Sequence, residues 1–111
     1  MKELSKAEET FLIAIYHLKD NAYGVAICDK IHELIGKRYT YGTLYKILDQ
    51  IVRHGYVTKV EGEPTKERGG RRKLFYQITA EGILALKNSH LVQVSLWQGI
   101  DWSNLEGEIS K

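Results

Sequence analysis

Side chains able to act chemically on a partner are gathered in two stretches of this chain, and both suit the binding of a polyanion. The first runs from Thr40 to Gly55. At about 100° per helical residue, Gly42, Lys46, Asp49, Gln50 and Arg53 share one face, with Thr43 and Tyr45 on its flanks. Cations, an amide and hydroxyls in that mixture are what contacts to phosphates and base edges require. Gly42 costs helix stability without filling the core, which points to close approach of another backbone. The second stretch, Lys66 to Lys73, holds five basic residues (Lys66, Arg68, Arg71, Arg72, Lys73) against Glu67, a local charge of +4 (5 − 1). The formal net charge is +2, so the remaining residues sum to −2. Between these cations, Gly69-Gly70 leaves the backbone free to lie flat while arginines enter a minor groove or clamp phosphates.

Catalytic constellations are not found. His17, His32, His54 and His90 stand apart, and no HExxH or CxxC pattern occurs. Cys28 and His32 are one turn apart, but two ligands do not complete a zinc site. Gly69-Gly70-Arg71-Arg72 lacks the Lys-Ser or Lys-Thr that makes a phosphate loop. The sequence therefore predicts no enzyme, no metal and no cofactor. A single cysteine excludes an internal disulfide and fits a reducing compartment. The longest run without a formal charge, Asn88 to Ile100, is too short and too polar to span a bilayer, and no charged-then-apolar leader is seen. The expectation is a cytoplasmic protein without a membrane partner.

Three helices and a hairpin have to hold these stretches. Ser5-Lys6-Ala7-Glu8 has the form of a capping box, and Phe11, Leu12, Ala14, Ile15 and Leu18 continue at helical spacing to Lys19 or Asp20. Ile13 and Tyr16 fall on the far side of that stripe and need cover from elsewhere. Gly24, Ile27, Ile31, Leu34 and Ile35 stripe a second helix, which Gly36 ends; Cys28 sits at the edge of the stripe as a small core hydrophobe. Leu44, Ile47, Leu48, Ile51 and Val52 stripe the third, with Thr40 as N-cap and Gly55 in the left-handed position after the last turn. The period then changes to two, predicting strands at Tyr56–Val60 and Lys73–Ile78 around an exposed, mobile loop from Glu61 to Arg72.

Thr79-Ala80-Glu81-Gly82 opens a last helix whose apolar residues Leu91, Val92, Val94, Leu96, Trp97 and Ile100 point in nearly every direction. A helix apolar all round must be buried all round. Val92, Leu96 and Ile100 form one stripe and Ile83, Leu86, Val94 and Trp97 another, so one is expected on the chain's own first helix and one on a second copy. The fold class is mainly α with a small β-hairpin: a winged helix-turn-helix over residues 1–79, a long C-terminal dimerisation helix over 80–103 and a frayed tail over 104–111. Thr43, Lys46 and Gln50 are the candidate base readers. Tyr39, Thr40, Tyr41, Tyr45, Arg53 and the basic hairpin tip are the candidate phosphate contacts. A winged-helix docking module that touches no nucleic acid is the alternative, and RNA recognition ranks below it.

Ala22-Tyr23-Gly24-Val25, Gly42-Thr43-Leu44-Tyr45, His54-Gly55-Tyr56-Val57, Gly69-Gly70-Arg71-Arg72-Lys73 with Tyr76, and the closing Ile78-Thr79-Ala80-Glu81-Gly82 together resemble the PadR family of bacterial transcriptional regulators. The match runs from about Ala7 to Leu86, and the C-terminal part looks like the compact members with one final helix. The resemblance implies homodimers joined through the final helix and the first, which adds Phe11 and Leu12 to Ile13, Tyr16 and the six apolar residues of the last helix as candidate interface. It also implies pseudo-palindromic DNA operators, usually repression, and in some members release by a small aromatic compound. Trp97, paired near a two-fold axis, is the candidate effector site. Two departures stand out: Lys46 occupies a position where the family commonly has Pro, and Arg71-Arg72 replaces the more usual Arg-Pro.

Overall fold

The computed structural model describes residues 3–64 and 72–110. Helix α1 (Lys6–Leu18) begins at the capping box: Ser5 Oγ accepts from the Glu8 amide at 3.1 Å, and Glu8 Oε1 accepts from the Ser5 amide at 2.9 Å. The second Glu8 carboxylate oxygen lies 3.5 Å from His54 Nε2. This carboxylate is only 7% exposed, so the start of α1 is fastened to the residue that closes the third helix. Helix α2 (Gly24–Ile35) ends as expected on Gly36, whose φ of 70° is left-handed. Its buried side is Gly24, Ile27, Cys28 and Ile31. Leu34 and Ile35, expected to continue that stripe, are exposed, because the last turn of α2 overhangs the helices it packs on.

Helix α3 (Tyr41–Arg53) buries Leu44, Ile47, Leu48 and Ile51 and half-buries Val52. Thr40 caps its start, and Gly55 takes φ 79° after His54. Strand β1 (Val57–Pro64) pairs antiparallel with β2 (Arg72–Ile78), Val57 opposite Ile78 and Val60 opposite Phe75. The strands run further than the residue types predict. Glu61 to Pro64 are strand rather than loop, which shortens the expected Glu61–Arg72 connection to residues 65–71, outside the described residues. Gly62 permits this, since a Cβ there would stand 2.5 Å from the Phe75 ring, and a register shift between Glu61 and Pro64 accommodates the proline. The base of the hairpin is pinned to the start of α2: the Tyr76 amide donates to Ala22 O at 2.8 Å, and Tyr23 bridges to Phe75.

Helix α4 (Ala80–Trp97) is capped by Thr79, whose hydroxyl accepts from the Gly82 amide at 3.0 Å and donates to Gly55 O at 2.6 Å. Gly82 lies against the Tyr56 carbonyl, where a Cβ would come within 2.3 Å. The row of α4 that meets the chain's own domain is not an apolar stripe. Ala85 is buried, Leu86 packs at the core edge, and Ser89 and Gln93 both donate to the Glu9 carboxylate, the latter at 2.6 Å. Both predicted apolar stripes are therefore left largely uncovered, with Ile83, Val92, Val94, Leu96, Trp97 and Ile100 all exposed. Nor does the helix continue to residue 103. It stops at Trp97, Gly99 turns with φ 84°, and Asp101 caps a further helix α5 (Trp102–Ile109) where a frayed tail was expected.

A single core joins α1, α2, α3, the hairpin and the first turns of α4, through Phe11, Leu12, Ile27, Leu48, Val57 and Tyr76 among others. Phe11 and Leu12 are wholly inside it. They lie on the α1 face turned to α2 and α3, so they cannot touch a second copy, and the candidate interface on α1 reduces to half-buried Ile13 and exposed Tyr16. The Cα radius of gyration is 17.4 Å, against about 13 Å for a compact chain of this length. The excess reflects α4 and α5 standing off the winged domain. No helix among the described residues is long and apolar enough to cross a membrane.

Candidate nucleic-acid interface

The outward face of α3 exists because its inward face is so strictly apolar. With Leu44, Ile47, Leu48 and Ile51 committed to the core, 3.6-residue periodicity leaves Gly42, Thr43, Lys46, Asp49 and Arg53 exposed and Gln50 half-buried. No Cβ placed on Gly42 would meet a neighbour, so this glycine keeps a clear approach to the backbone. Thr40 and Thr43 form a closed cap, Thr40 Oγ1 accepting from the Thr43 amide at 3.3 Å and donating to the Thr43 hydroxyl at 3.1 Å. The Thr43 hydroxyl, thus oriented, still has a proton to donate. Tyr41 is exposed beside it.

Two of the expected phosphate contacts turn out to have structural duties. Tyr39 is half-buried, its ring edge-on to Phe11 at 5.1 Å, its carbonyl accepting from Cys28 Sγ at 3.6 Å and Lys37 Nζ 4.7 Å over its face. Tyr45 lies across the first residue of α2, and a Cβ on Gly24 would stand 2.3 Å from the Tyr45 hydroxyl. Gly24 is thus the notch that sets how closely α3 crosses α2. Replacing Gly24 with Ala is expected to push the phenol out and tilt α3, with a several-fold loss of specific DNA affinity that Tyr45→Ala in the same chain partly restores. Fluorescence anisotropy checks it; equal affinity of wild type and Gly24→Ala would remove the notch from the account.

Lys59, which the sequence reading did not single out, extends from β1 to place its ammonium 3.3 Å from Asp49 Oδ1. The acid on the outward face of α3 is thereby compensated from the hairpin. Lys46, Asp49, Val52, Arg53 and Lys59 line a surface hollow of about 430 Å³ between α3 and the hairpin, three cations against one anion. The signal for Lys59 was present only as a strand residue of alternating exposure, and the strand partner of α3 is not deducible from spacing. Arg38, also cationic and next to α3, is occupied: its guanidinium bonds Asp29 at 3.0 Å, and this hydrogen bond raises its pKa further above the usual value.

Of the basic hairpin, Lys66, Arg68, Gly69, Gly70 and Arg71 lie outside the described residues, as does the side chain of Arg72. Lys73 is described, its ammonium 4.2 Å over the Tyr23 ring, so it braces the start of β2 against the residue that precedes α2. Among the described residues no group of three or more His, Cys, Asp or Glu could hold a metal.

The profile of the transcriptional regulator PadR-like family matches residues 14–88, 75 of the 111 residues. No curated protein matches. Among solved structures, a complex structure of hsRosR is 26% identical with a TM-score of 0.66 and covers 96% of this chain and 87% of that one. RosR of H. salinarum grown from NaBr gives 23%, 0.67, 98% and 93%. A PadR family transcription regulator from hypervirulent Clostridium difficile gives 23%, 0.58, 93% and 98%. The similar structures thus include archaeal as well as bacterial proteins, and the profile falls on the elements that build the α3 face and the hairpin. The chain belongs to the transcriptional regulator PadR-like family.

Proposed function

We propose that this regulator is a cytoplasmic, sequence-specific DNA-binding homodimer, acting as a repressor on a pseudo-palindromic operator. The observation that carries the reading is the α3 face itself, an exposed row of Gly42, Thr43, Lys46, Gln50 and Arg53 on a helix whose other side is locked in the core. Placed in the major groove, Lys46, Gln50 and Thr43 read base edges, while Tyr41, Arg53 and Lys59 meet phosphates and the hairpin cations Lys66, Arg68, Arg71 and Arg72 reach the flanking backbone or minor groove. Lys46, the first of the two departures from the family pattern that the resemblance implies, gives this chain a base contact of its own.

Base contacts and phosphate contacts respond differently to removal. Lys46→Ala is expected to change which operator is preferred, at about 1–3 kcal/mol for the base pair it reads, with the salt slope little altered. Arg71→Ala is expected to weaken all sequences alike and lower the slope of log K against log salt by about 1 per lost phosphate contact. Selection from a genomic library followed by anisotropy titrations at several salt concentrations measures both. Unchanged affinity and slope in an Arg71→Ala, Arg72→Ala double variant would remove the wing from the mechanism.

Dimerisation is assigned to the uncovered residues Leu91, Val92, Val94, Leu96 and Trp97 of α4 and Ile100 just beyond it, with Ile13 and Tyr16 of α1. Trp97 is half exposed and carries Trp102 tilted against it at 5.6 Å. Two such pairs facing across a two-fold axis form a flat apolar slot, which is the site assigned to a small aromatic effector.

A further inference from the structure

A carboxylate on a helix face that meets DNA is repelled by every phosphate it approaches. Asp49 is such a carboxylate. It is exposed on the outward side of α3, in one row with Lys46 a turn before it and Arg53 a turn after it. Its partner comes from neither of these cations but from the hairpin, where Lys59 Nζ stands 3.3 Å from Asp49 Oδ1. The Asp49 side chain is 57% exposed and that of Lys59 42%, and an ion pair so open to water is weak. It holds the two charges together in the free protein and yields to better partners.

DNA supplies a better partner for each. Lys59 gains a phosphate and releases a counterion. Asp49, left facing the groove, then needs a hydrogen-bond donor. In the major groove the donating base atoms are cytosine N4 and adenine N6, and the adenine donor lies beside N7, an acceptor whose lone pair opposes a carboxylate. Cytosine N4 is therefore the match. The hollow of about 430 Å³ that Asp49 lines with Lys46, Val52, Arg53 and Lys59 has room for the edge of a base.

We infer that Asp49 is a specificity-determining residue, which exchanges Lys59 for the N4 amino group of a cytosine when the chain meets its operator. The assignment rests on the DNA-binding face proposed above and adds to its base readers an acid. On other sequences the exchange would leave Asp49 without a donor, so Lys59 stays where it is and one phosphate contact is forgone. The same pair thus disfavours the wrong DNA and favours the right one. Asp49 lies about 4.5 Å beyond Lys46 along the α3 axis and stacked bases are about 3.4 Å apart, so the cytosine falls within about two base pairs of the position that Lys46 reads.

Selection from a random-sequence library with the wild-type chain, Lys46→Ala and Asp49→Asn tests it, with circular dichroism to check that each variant is folded. Asparagine pairs with adenine N6 and N7, so Asp49→Asn should change one position of each half-site from cytosine to adenine, with about fivefold or more in relative affinity. That position should neighbour the one that Lys46→Ala alters. Lys59→Gln should keep the cytosine and lower the salt slope on the operator by about 1. On a scrambled duplex Asp49→Asn should bind several-fold tighter than wild type, and no such gain should appear when Lys59→Gln is already present. An equal gain in that background would overturn the exchange. Identical base preferences for wild type and Asp49→Asn at every position would overturn the assignment and leave the DNA-binding face standing, whereas a wild-type chain that selects no sequence and shows no salt-sensitive binding refutes both.

Discussion

Leu96→Lys with Ile100→Lys is expected to yield a folded monomer that has lost at least about a hundredfold in operator affinity. Both side chains are exposed on the single chain, Leu96 to 69% and Ile100 to 39%, so neither contributes to the core and the winged domain should melt as before. In the dimer proposed above they would be buried instead. Each large apolar side chain so covered contributes about 1.5–3 kcal/mol, and two substitutions per chain act on four such side chains at once while introducing four charges that repel across the axis. A lone winged domain then reads one half-site without the raised effective concentration that tethering to its partner provides. Sedimentation equilibrium gives the mass, circular dichroism the fold, and anisotropy the affinity. A variant that stays dimeric and binds normally would overturn the assigned interface.

The next largest effect concerns alkaline stability and Tyr76. Its side chain is 1% exposed, and burial, reinforced by the nearby Tyr45 and Asp49 charges, pushes its phenol from the ordinary 10 up to about 12. The folded state thus holds a proton that the unfolded state gives up first. The associated stability is fully present below pH 10 and is lost as pH rises toward 12. At about 1.4 kcal/mol per pH unit, roughly 2–3 kcal/mol disappears across that window. Tyr76→Phe keeps the ring in place and has no proton to lose, so its urea midpoint should fall less than the wild type's between pH 9 and pH 11.5. Parallel decline of the two midpoints would refute it.

The reading of α3 from sequence succeeded for a physical reason: one helix face was wholly apolar and its ends carried specific capping residues, so the exposed face followed by subtraction. The same logic overreached on α2, where Leu34 and Ile35 keep the apolar period but lie beyond the packed region; periodicity reports the direction of a side chain and not whether anything stands opposite. Phe11 and Leu12 were assigned to an interface by resemblance to dimers joined through the first helix, although their own stripe already placed them in the core. At α4 the seam with α1 is made by Ala85, Ser89 and Gln93, small and polar residues that a search for apolar stripes passes over. Helix α5 was legible in principle, since Asp101 stands three residues before Asn104, whose amide it caps at 3.1 Å. Gly107 and mixed charge made the segment read as a tail.

Glu8 and Glu9 are neighbours in sequence and about 100° apart around α1. One reaches the closing residue of α3 through His54, and the other takes hold of α4 through Ser89 and Gln93. Helix α1 therefore ties α3 and α4 together through two adjacent carboxylates. Within one chain, the orientation of α4 and that of the closing residue of α3 are thus both fixed against the same turn of α1. In the dimer proposed above, the separation of the two α3 helices would then depend on α1, a helix outside the proposed DNA-binding face.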